Sequence, residues 1–420
     1  MAVNLALSKT VKLTNDPQSY KILPSDILIK EIGKYLGHYD LINANLVCRH
    51  WSKCYNNENL WKSRYDNLFR KHVPFIEQTH ESKKIILTYK QSCLYHELIE
   101  KNIKEDRYSF RKFEIGNNPI ISLGACHQIF YVFSSNACFI FDEDKFIKKN
   151  DFSNIKLVRT YKESFLLLDG NSVKLWNASG IINKISDTSQ IKTVQVWGDD
   201  IVTCDINHCI KLWDKNNFSQ IFLQLNNSPQ SMIIVNNHLG LVLGNNDKVL
   251  ELWDKNKNCI QKFVHDSSII AIISYKNNIV TSDEKNLIFW NLNGSYKIFP
   301  MNDSNIKRVS YEPSSILTIL ENNTLLRWDE NGNITGKYSD HMSTITVEEK
   351  FGPHTVFGDS YGLLNFWTPG KPLKTLTGLD PTSSRLYSKY SKILSVSAKN
   401  EVCIWDFNPI SLNEDKTTNS

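Results

Sequence analysis

An aromatic signature recurs along this chain at almost constant spacing, and that period constrains the fold more than any other feature. It reads Val173-Lys174-Leu175-Trp176, Ile210-Lys211-Leu212-Trp213-Asp214 and Leu250-Glu251-Leu252-Trp253-Asp254. It continues as Leu287-Ile288-Phe289-Trp290, Leu325-Leu326-Arg327-Trp328-Asp329, Leu363-Leu364-Asn365-Phe366-Trp367 and Val402-Cys403-Ile404-Trp405-Asp406. Successive tryptophans lie 37, 40, 37, 38, 39 and 38 residues apart. A chain that repeats at a fixed interval of this length builds one supersecondary unit many times. No unit can bury its apolar face alone, so the units must pack on one another.

Between the signatures lie the apolar runs Phe165-Leu166-Leu167-Leu168 and Met232-Ile233-Ile234-Val235, with others at 269–273 and 316–320. They are strand-length and bounded by turn-forming residues. They are continuous rather than alternating, the pattern of a strand that meets water on neither face. Turns follow the signatures, as in Asn177-Ala178-Ser179-Gly180, Asn291-Leu292-Asn293-Gly294 and Asp329-Glu330-Asn331-Gly332. Asn-Asn pairs such as Asn216-Asn217, Asn226-Asn227 and Asn236-Asn237 supply more, because asparagine tolerates the left-handed conformation.

Signature and period resemble those of WD-repeat β-propellers, whose blades recur at about 40–45 residues and carry a Trp-Asp pair. The resemblance implies an all-β WD-repeat β-propeller of four-stranded blades, a binding platform rather than an enzyme. Stepping back 38 residues from Trp176 reaches Cys138-Phe139-Ile140-Phe141-Asp142, a degenerate signature with Phe141 in place of tryptophan. The span 107–410 gives 38 residues per blade for eight blades, matching the period; seven blades at about 43 stay within the family's range. Eight are expected, seven remain open. Residues 108–115 then form the outer strand of the last blade and close the ring, since an open stack leaves unpaired edges. Two departures from the family are visible. His265 and His341 lack the glycine that usually precedes them. The aspartate six residues before the tryptophan stands only as Asp247, with Asn207, Glu284 and Asn322 elsewhere. The family's Asp-His-Ser/Thr-Trp hydrogen-bond chain is then mostly incomplete, and apolar packing carries more of the stability. The tryptophans read as core residues, each contributing on the order of a few kcal/mol by burial.

A second pattern occupies residues 21–66. Leu23-Pro24-Ser25 opens a helix with Ser25 as N-cap; Leu28, Ile32, Tyr35 and Leu36 share one face, and Gly37 ends it. Asp40 caps a second helix carrying Leu41, Ala44, Cys48 and Trp51, and Asn59-Leu60-Trp61-Lys62 starts a last one. Leu23-Pro24, Asp40-Leu41, Val47-Cys48-Arg49-His50-Trp51 and Leu60-Trp61 stand in the order of the F-box family's landmarks, which the segment closely resembles. A segment of this size buries too little surface to be robust alone, and its large apolar residues call for a partner. The resemblance implies docking on the small Skp-type adaptor of cullin-RING ubiquitin ligases. Leu23, Pro24, Ile27, Leu28, Ile32, Leu36, Leu41, Val47, Cys48, Trp51, Leu60 and Trp61 would form that interface or the core that supports it. The domain plan is a tail at 1–20, the small all-α F-box module at 21–66, a helical linker at 67–106, the propeller at 107–410 and a tail at 411–420. Within the linker, Ile86, Tyr89, Cys93, Leu94 and Leu98 predict an amphipathic helix from Glu81 to Ile103.

The net charge of +5 is mild and no basic run appears, which argues against nucleic-acid binding. The nine cysteines show no metal spacing and fit free thiols in a reducing compartment. No signal segment or membrane-length apolar stretch is visible, so a cytoplasmic or nuclear protein without membrane contact is expected. No phosphate loop, nucleotide fingerprint, zinc pair or nucleophile elbow occurs, so neither catalysis nor a cofactor is expected. One pattern points to ligand choice. Ile155-Lys156, Ile191-Lys192 and Ile306-Lys307 open inner strands, and Arg385 stands at a comparable place before Trp405. In WD-repeat proteins this position faces the mouth of the channel, where four cations would favour a phosphorylated or acidic protein substrate. The alternative is four solvated surface cations, and the scarcity of arginine favours it. The combined expectation is a substrate receptor of a Skp–cullin–F-box ubiquitin ligase. The rival is a non-catalytic scaffold that uses both modules, including one a microbe makes to exploit a host ligase.

Overall fold

The computed structural model describes residues 61–62, 77–80, 83–86 and, apart from short gaps in turns and at 378–384, residues 89–408. The chain divides into two compact units. One comprises residues 110–350 and 354–405, the other residues 1–109, 351–353 and 406–420.

The larger unit is an eight-bladed β-propeller, built of eight four-stranded antiparallel sheets. Blades 1 to 7 cover residues 120–151, 155–186, 191–224, 231–264, 271–300, 306–338 and 345–376. Strands pair in chain order within each of these blades. First strands of blades 1 to 6 touch in succession, hydrogen bonds from Arg308 to Thr346 O and from Ser388 to Lys350 O link blades 6, 7 and 8, and Ile120–Cys126 of blade 1 touches Arg385–Lys389 of blade 8, which closes the ring. Blade 8 is composite: Arg385–Lys389, Lys392–Val396 and Glu401–Asp406 are joined by Ser109–Glu114 from far upstream. Lys112 Nζ lies 2.8 Å from the Glu401 carboxylate, and Phe110 packs 4.6 Å from Trp405, centroid to centroid. Closure by an upstream strand pairs an edge that would otherwise stay open.

The continuous apolar runs now have their cause. In blade 2, Phe165 and Leu167 pack with Trp176 against Tyr131 and Phe133 of blade 1. The alternate residues Leu166 and Leu168 pack with Ile191, Val194 and Trp213 of blade 3. Successive side chains of a strand point to opposite faces, and here each face meets a neighbouring blade.

Six of the seven signature tryptophans are buried, and four of them carry a hydroxyl tether. Trp213, Trp290 and Trp328 donate their indole N–H to Thr203, Thr281 and Thr318 at 2.8, 2.7 and 2.9 Å, and Trp405 donates to Ser395 at 3.2 Å. The hydrogen-bond chain is more complete than the sequence suggests. Thr281 Oγ1 lies 3.1 Å from His265 Nε2, and His341 Nε2 lies 3.2 Å from Asp359. Asp205, Asp283 and Asp359 stand seven or eight residues before their tryptophans, not six, and cap the backbone N–H groups of the turns that follow. Asp247 lies outside the described residues. The aspartate after the tryptophan has a turn role as well. Asp254 accepts from the backbone N–H of Asn256 and Asn258, both at 2.9 Å, and Asp329 treats Asn331 and Asn333 alike. Gly332 closes the latter turn at φ +80°, a value glycine adopts without penalty.

In the smaller unit the helix starts later than the apolar pattern suggests. Helix α1 is Tyr89–Lys104, and Glu77–His80 pairs antiparallel with Lys83–Ile86. Ile86 fits a helical face by spacing, but Ile85-Ile86 is a β-branched pair that suits a strand better. Lys101 and Lys104 sit in the last turn of α1, where the helix dipole favours cations. Asn102 Nδ2 donates to the Phe407 carbonyl at 3.1 Å, and Tyr108 packs against Phe407.

Candidate functional site

First strands of neighbouring blades meet around the ring, and in blades 2, 3 and 6 their second residues are irregular in the same way. The register of first against second strand slips between Ile155 and Leu157, between Ile191 and Thr193, and between Ile306 and Arg308. Lys156, Lys192 and Lys307 are therefore bulge residues at one shared place in blades 2, 3 and 6. A bulge re-aims its side chain out of the pleat. Lys156 and Lys192 are exposed, whereas Lys307 is half-buried and donates to the Ile345 carbonyl of the next blade at 3.2 Å.

Arg385 does not belong with them. It pairs with Val396, the residue after Ser395, which receives the Trp405 indole. In blade 3 the residue after Thr203 is Cys204, and its partner is Thr193, one place beyond Lys192. Arg385 thus matches Thr193 and Arg308. Its Nε donates to the Ile120 carbonyl of blade 1 at 3.0 Å, as Arg308 donates to Thr346 O at 3.3 Å. It is a staple between blades, and partial loss of water pulls its pKa down although the side chain still reaches solvent. Nor are the surroundings of Lys156 and Lys192 purely cationic. Asp169 and Asp205 stand across from Ile155 and Ile191, and Lys211 bridges Asp187 at 2.5 Å and Asp205 at 3.5 Å. The Asp187 carboxyl loses water by burial, yet its bond from Lys211 holds it below the ordinary range.

A buried ionic network between blades 6 and 7 was not legible from sequence. Glu312 ends the first strand of blade 6 and is 3% exposed. Arg327 Nε lies 3.0 Å from one of its oxygens, and Ser315 Oγ donates to the carboxylate at 2.6 Å. Thr355 Oγ1 donates to Glu312 at 2.6 Å and accepts from Arg327 Nη2 at 2.6 Å, while Lys350 Nζ approaches to 3.3 Å. Arg327 also covers Trp367 at 5.0 Å. Burial raises the Glu312 carboxyl, but Lys350 and Arg327 outweigh it and keep it ionised, below its usual value. Glu312 and Thr355 are multiply bonded, while Arg327 Nε faces the carboxylate as an ion pair without a hydrogen bond of good geometry; the closed set of paired charges is the arrangement of a structural network.

Of the adaptor-facing candidates, Leu23, Pro24, Ile27, Leu28, Ile32, Leu36, Leu41, Val47, Cys48, Trp51 and Leu60 lie outside the described residues. Trp61 is helical and fully buried, and its carbonyl lies 3.9 Å from Cys93 Sγ of helix α1. It is a core residue of the smaller unit. Among the described residues no group of three His, Cys, Asp or Glu is placed to hold a metal, and no helix is long and apolar enough to cross a membrane. Burial pushes the Cys204 thiol up to about 11 and Cys138 well above its ordinary value, which makes both poor nucleophiles.

Comparison with known proteins separates the two parts of the chain. Residues 21–67 match the F-box-like family. No curated protein matches the chain. The computationally designed protein Ika8 superposes with a TM-score of 0.60 at 16% identity, over 69% of this chain and 97% of its own. Saccharomyces cerevisiae Sqt1 gives 0.57 at 9% identity, over 70% and 97%, and the Dos1 propeller gives 0.55 at 14%, over 71% and 94%. At such identities the likeness shows the fold alone. An F-box-like segment ahead of a propeller fits an adaptor between proteins.

Proposed function

We propose that this protein is the substrate-recognition subunit of a Skp–cullin–F-box ubiquitin ligase. The F-box-like segment docks on the Skp-type adaptor and, through it, the cullin-RING ligase. The propeller holds a protein target near the charged ubiquitin-conjugating enzyme. The observation that carries this reading is an F-box-like match at 21–67 followed by a closed eight-bladed ring. The receptor needs no bond-making residue of its own. It acts by raising the local concentration of target lysines.

Target capture is assigned to the channel mouth around Lys156 and Lys192, with Lys307 behind them, and the target chemistry is a phosphorylated or acidic segment. Arg385 is left out of this set because it staples blade 8 to blade 1. Purification of the tagged full chain from cells is the test. Adaptor and cullin are expected to co-purify and to be lost with Leu23→Ala/Pro24→Ala. Recovery of adaptor without cullin, or of neither, would leave the scaffold reading in its place. Lys156→Glu/Lys192→Glu is expected to keep the adaptor and lose the target; retention of the target would sink the assignment of the mouth.

A further inference from the structure

Polar side chains on the first strands have a common use: they staple one blade to the backbone of the next. Gln195 Nε2 of blade 3 donates to the Met232 carbonyl at 2.7 Å. Lys307 and Arg308 of blade 6 donate to Ile345 O and Thr346 O at 3.2 and 3.3 Å. Arg385 and Lys389 of blade 8 donate to Ile120 O and Ala125 O of blade 1, at 3.0 and 3.4 Å. Arg308 and Arg327 also hold carboxylates, Glu348 at 2.5 Å and Glu312 at 3.0 Å.

Arg159 of blade 2 is the exception. It pairs with Leu166, one residue after the Phe165 that faces Trp176. Gln195 pairs with Val202, one residue after the Ile201 that faces Trp213, so the two hold the same place in neighbouring blades. Gln195 is bound there, whereas Arg159 makes no hydrogen bond or ion pair among the described residues. Val158 packs toward blade 1, and Leu157 and Tyr161 pack toward blade 3. Arg159 shares the side of Leu157 and Tyr161, because successive residues of a strand alternate. The residues that blade 3 brings to that side are apolar: Ile191, Val194, Val196 and Ile201. The Arg159 side chain still reaches solvent, yet the protein around it removes part of its water, and no acid stands near enough to offset the downward pull on its pKa.

We propose that Arg159 reads the charge of the target as a carboxylate site, pairing with an aspartate or glutamate side chain of the captured segment. The inference rests on capture around Lys156 and Lys192 and narrows the chemistry given there to its acidic form. A guanidinium presents two parallel N–H donors to a carboxylate, a match that the point charge of a lysine does not offer. Having lost water without gaining an acceptor, it has more to gain from such a partner than a fully hydrated cation. The charge count decides between oxyanions. A phosphoryl group carries nearly two negative charges and calls for more than one cation. No second charged group acts on Arg159, and Lys174 and Lys211 are already taken by Asp169 and Asp187. Asp169 and Asp205, across from Ile155 and Ile191, disfavour a dianion further.

The test follows Arg159 in the full chain by phenylglyoxal modification and peptide mass mapping. In the free protein Arg159 is expected to react several-fold faster than Arg308, Arg327 and Arg385, whose N–H groups are engaged. N-acetyl-Gly-Glu-Gly-amide is expected to slow that reaction saturably, and the glutamine peptide to leave it unchanged. The phosphoserine peptide is expected to protect no better than the glutamate one. Arg159→Gln, which copies the residue of blade 3, is expected to keep the melting temperature of the parent. Slow modification in the free chain, or a lower melting temperature in Arg159→Gln, would show the guanidinium already engaged within the ring and overturn the proposal. So would equal protection by the glutamine peptide, stronger protection by phosphoserine, or none by glutamate. Loss of the target in Lys156→Glu/Lys192→Glu with Arg159 unprotected would strike this inference alone, and adaptor co-purification bears on neither.

Discussion

The junctions between blades 1 and 2 and between blades 6 and 7 occupy equivalent places in the ring and are held by opposite physics. The first is aromatic: Tyr131 and Phe133 meet Phe165 at 4.8 and 5.0 Å and Trp176 at 5.7 and 5.9 Å. The second contains the Glu312–Arg327–Lys350–Thr355 network beside Trp367. The architecture asks only that the volume between sheets be filled. Apolar filling is non-directional and indifferent to pH. Ionic filling is directional, and losing one member strands the others in low dielectric.

Substitutions sharpen this contrast, beginning with the largest effect. Glu312→Ala leaves Arg327 and Lys350 without their common counter-charge and is expected to cost about 3–5 kcal/mol in urea denaturation. Phe133→Ala in the aromatic junction is expected to cost a similar ~3–5 kcal/mol, but equally at every pH. A loss below about 1 kcal/mol for Glu312→Ala would mean that water takes over the network, and the contrast would fail. Thr203→Val, which strands the Trp213 indole N–H, is expected to cost about 1–3 kcal/mol. Blade 2 already carries Leu167 at that position and has no such bond to lose.

The smallest effect is in pH dependence, where two neighbouring carboxylates act with opposite sign. The folded Glu312 carboxyl is held below its unfolded value of 4.5, so its stabilisation is present above that pH and is lost as pH falls through the lower folded value. Burial, against a weak bond from Ser388, pushes Glu349 from 4.5 up to about 8. Its contribution is complete below pH 4.5 and drains away as pH rises through about 8. Glu349→Gln is therefore expected to flatten the fall of melting temperature across that interval. Glu312→Gln is expected to flatten the acid limb instead. An unchanged alkaline slope in Glu349→Gln would show that this side chain stays hydrated in the folded ring.

Period and burial are legible in a linear string because every blade repeats them. The tryptophan spacing, the degenerate Phe141 and the run at 108–115 point to eight sheets and a borrowed closing strand, which is how the ring is built. Where reading by position slipped, a local irregularity was the cause. The bulges at Lys156, Lys192 and Lys307 offset the count against blade 8 and made Arg385 look like a member of the rim. The strand pair Glu77–His80 and Lys83–Ile86 hid the true start of α1 behind an isoleucine that also suits a helical face. The carboxylates that complete the histidine and turn networks sit one or two places earlier than the family pattern puts them.

What the amino-acid string determined by itself was the repeating unit. Strand length, two-faced burial and turn chemistry are local properties that each interval of about 38 residues states again. Only the tertiary structure decided what lies between the units: which lysines reach solvent, which arginine bridges two blades and where Glu312 finds its cations. Those outcomes depend on partners about 40 residues away or at the opposite end of the chain, as with Arg385 and Ile120. A side chain's surroundings across a junction are set by the neighbouring sheet, and no local pattern encodes that sheet's register.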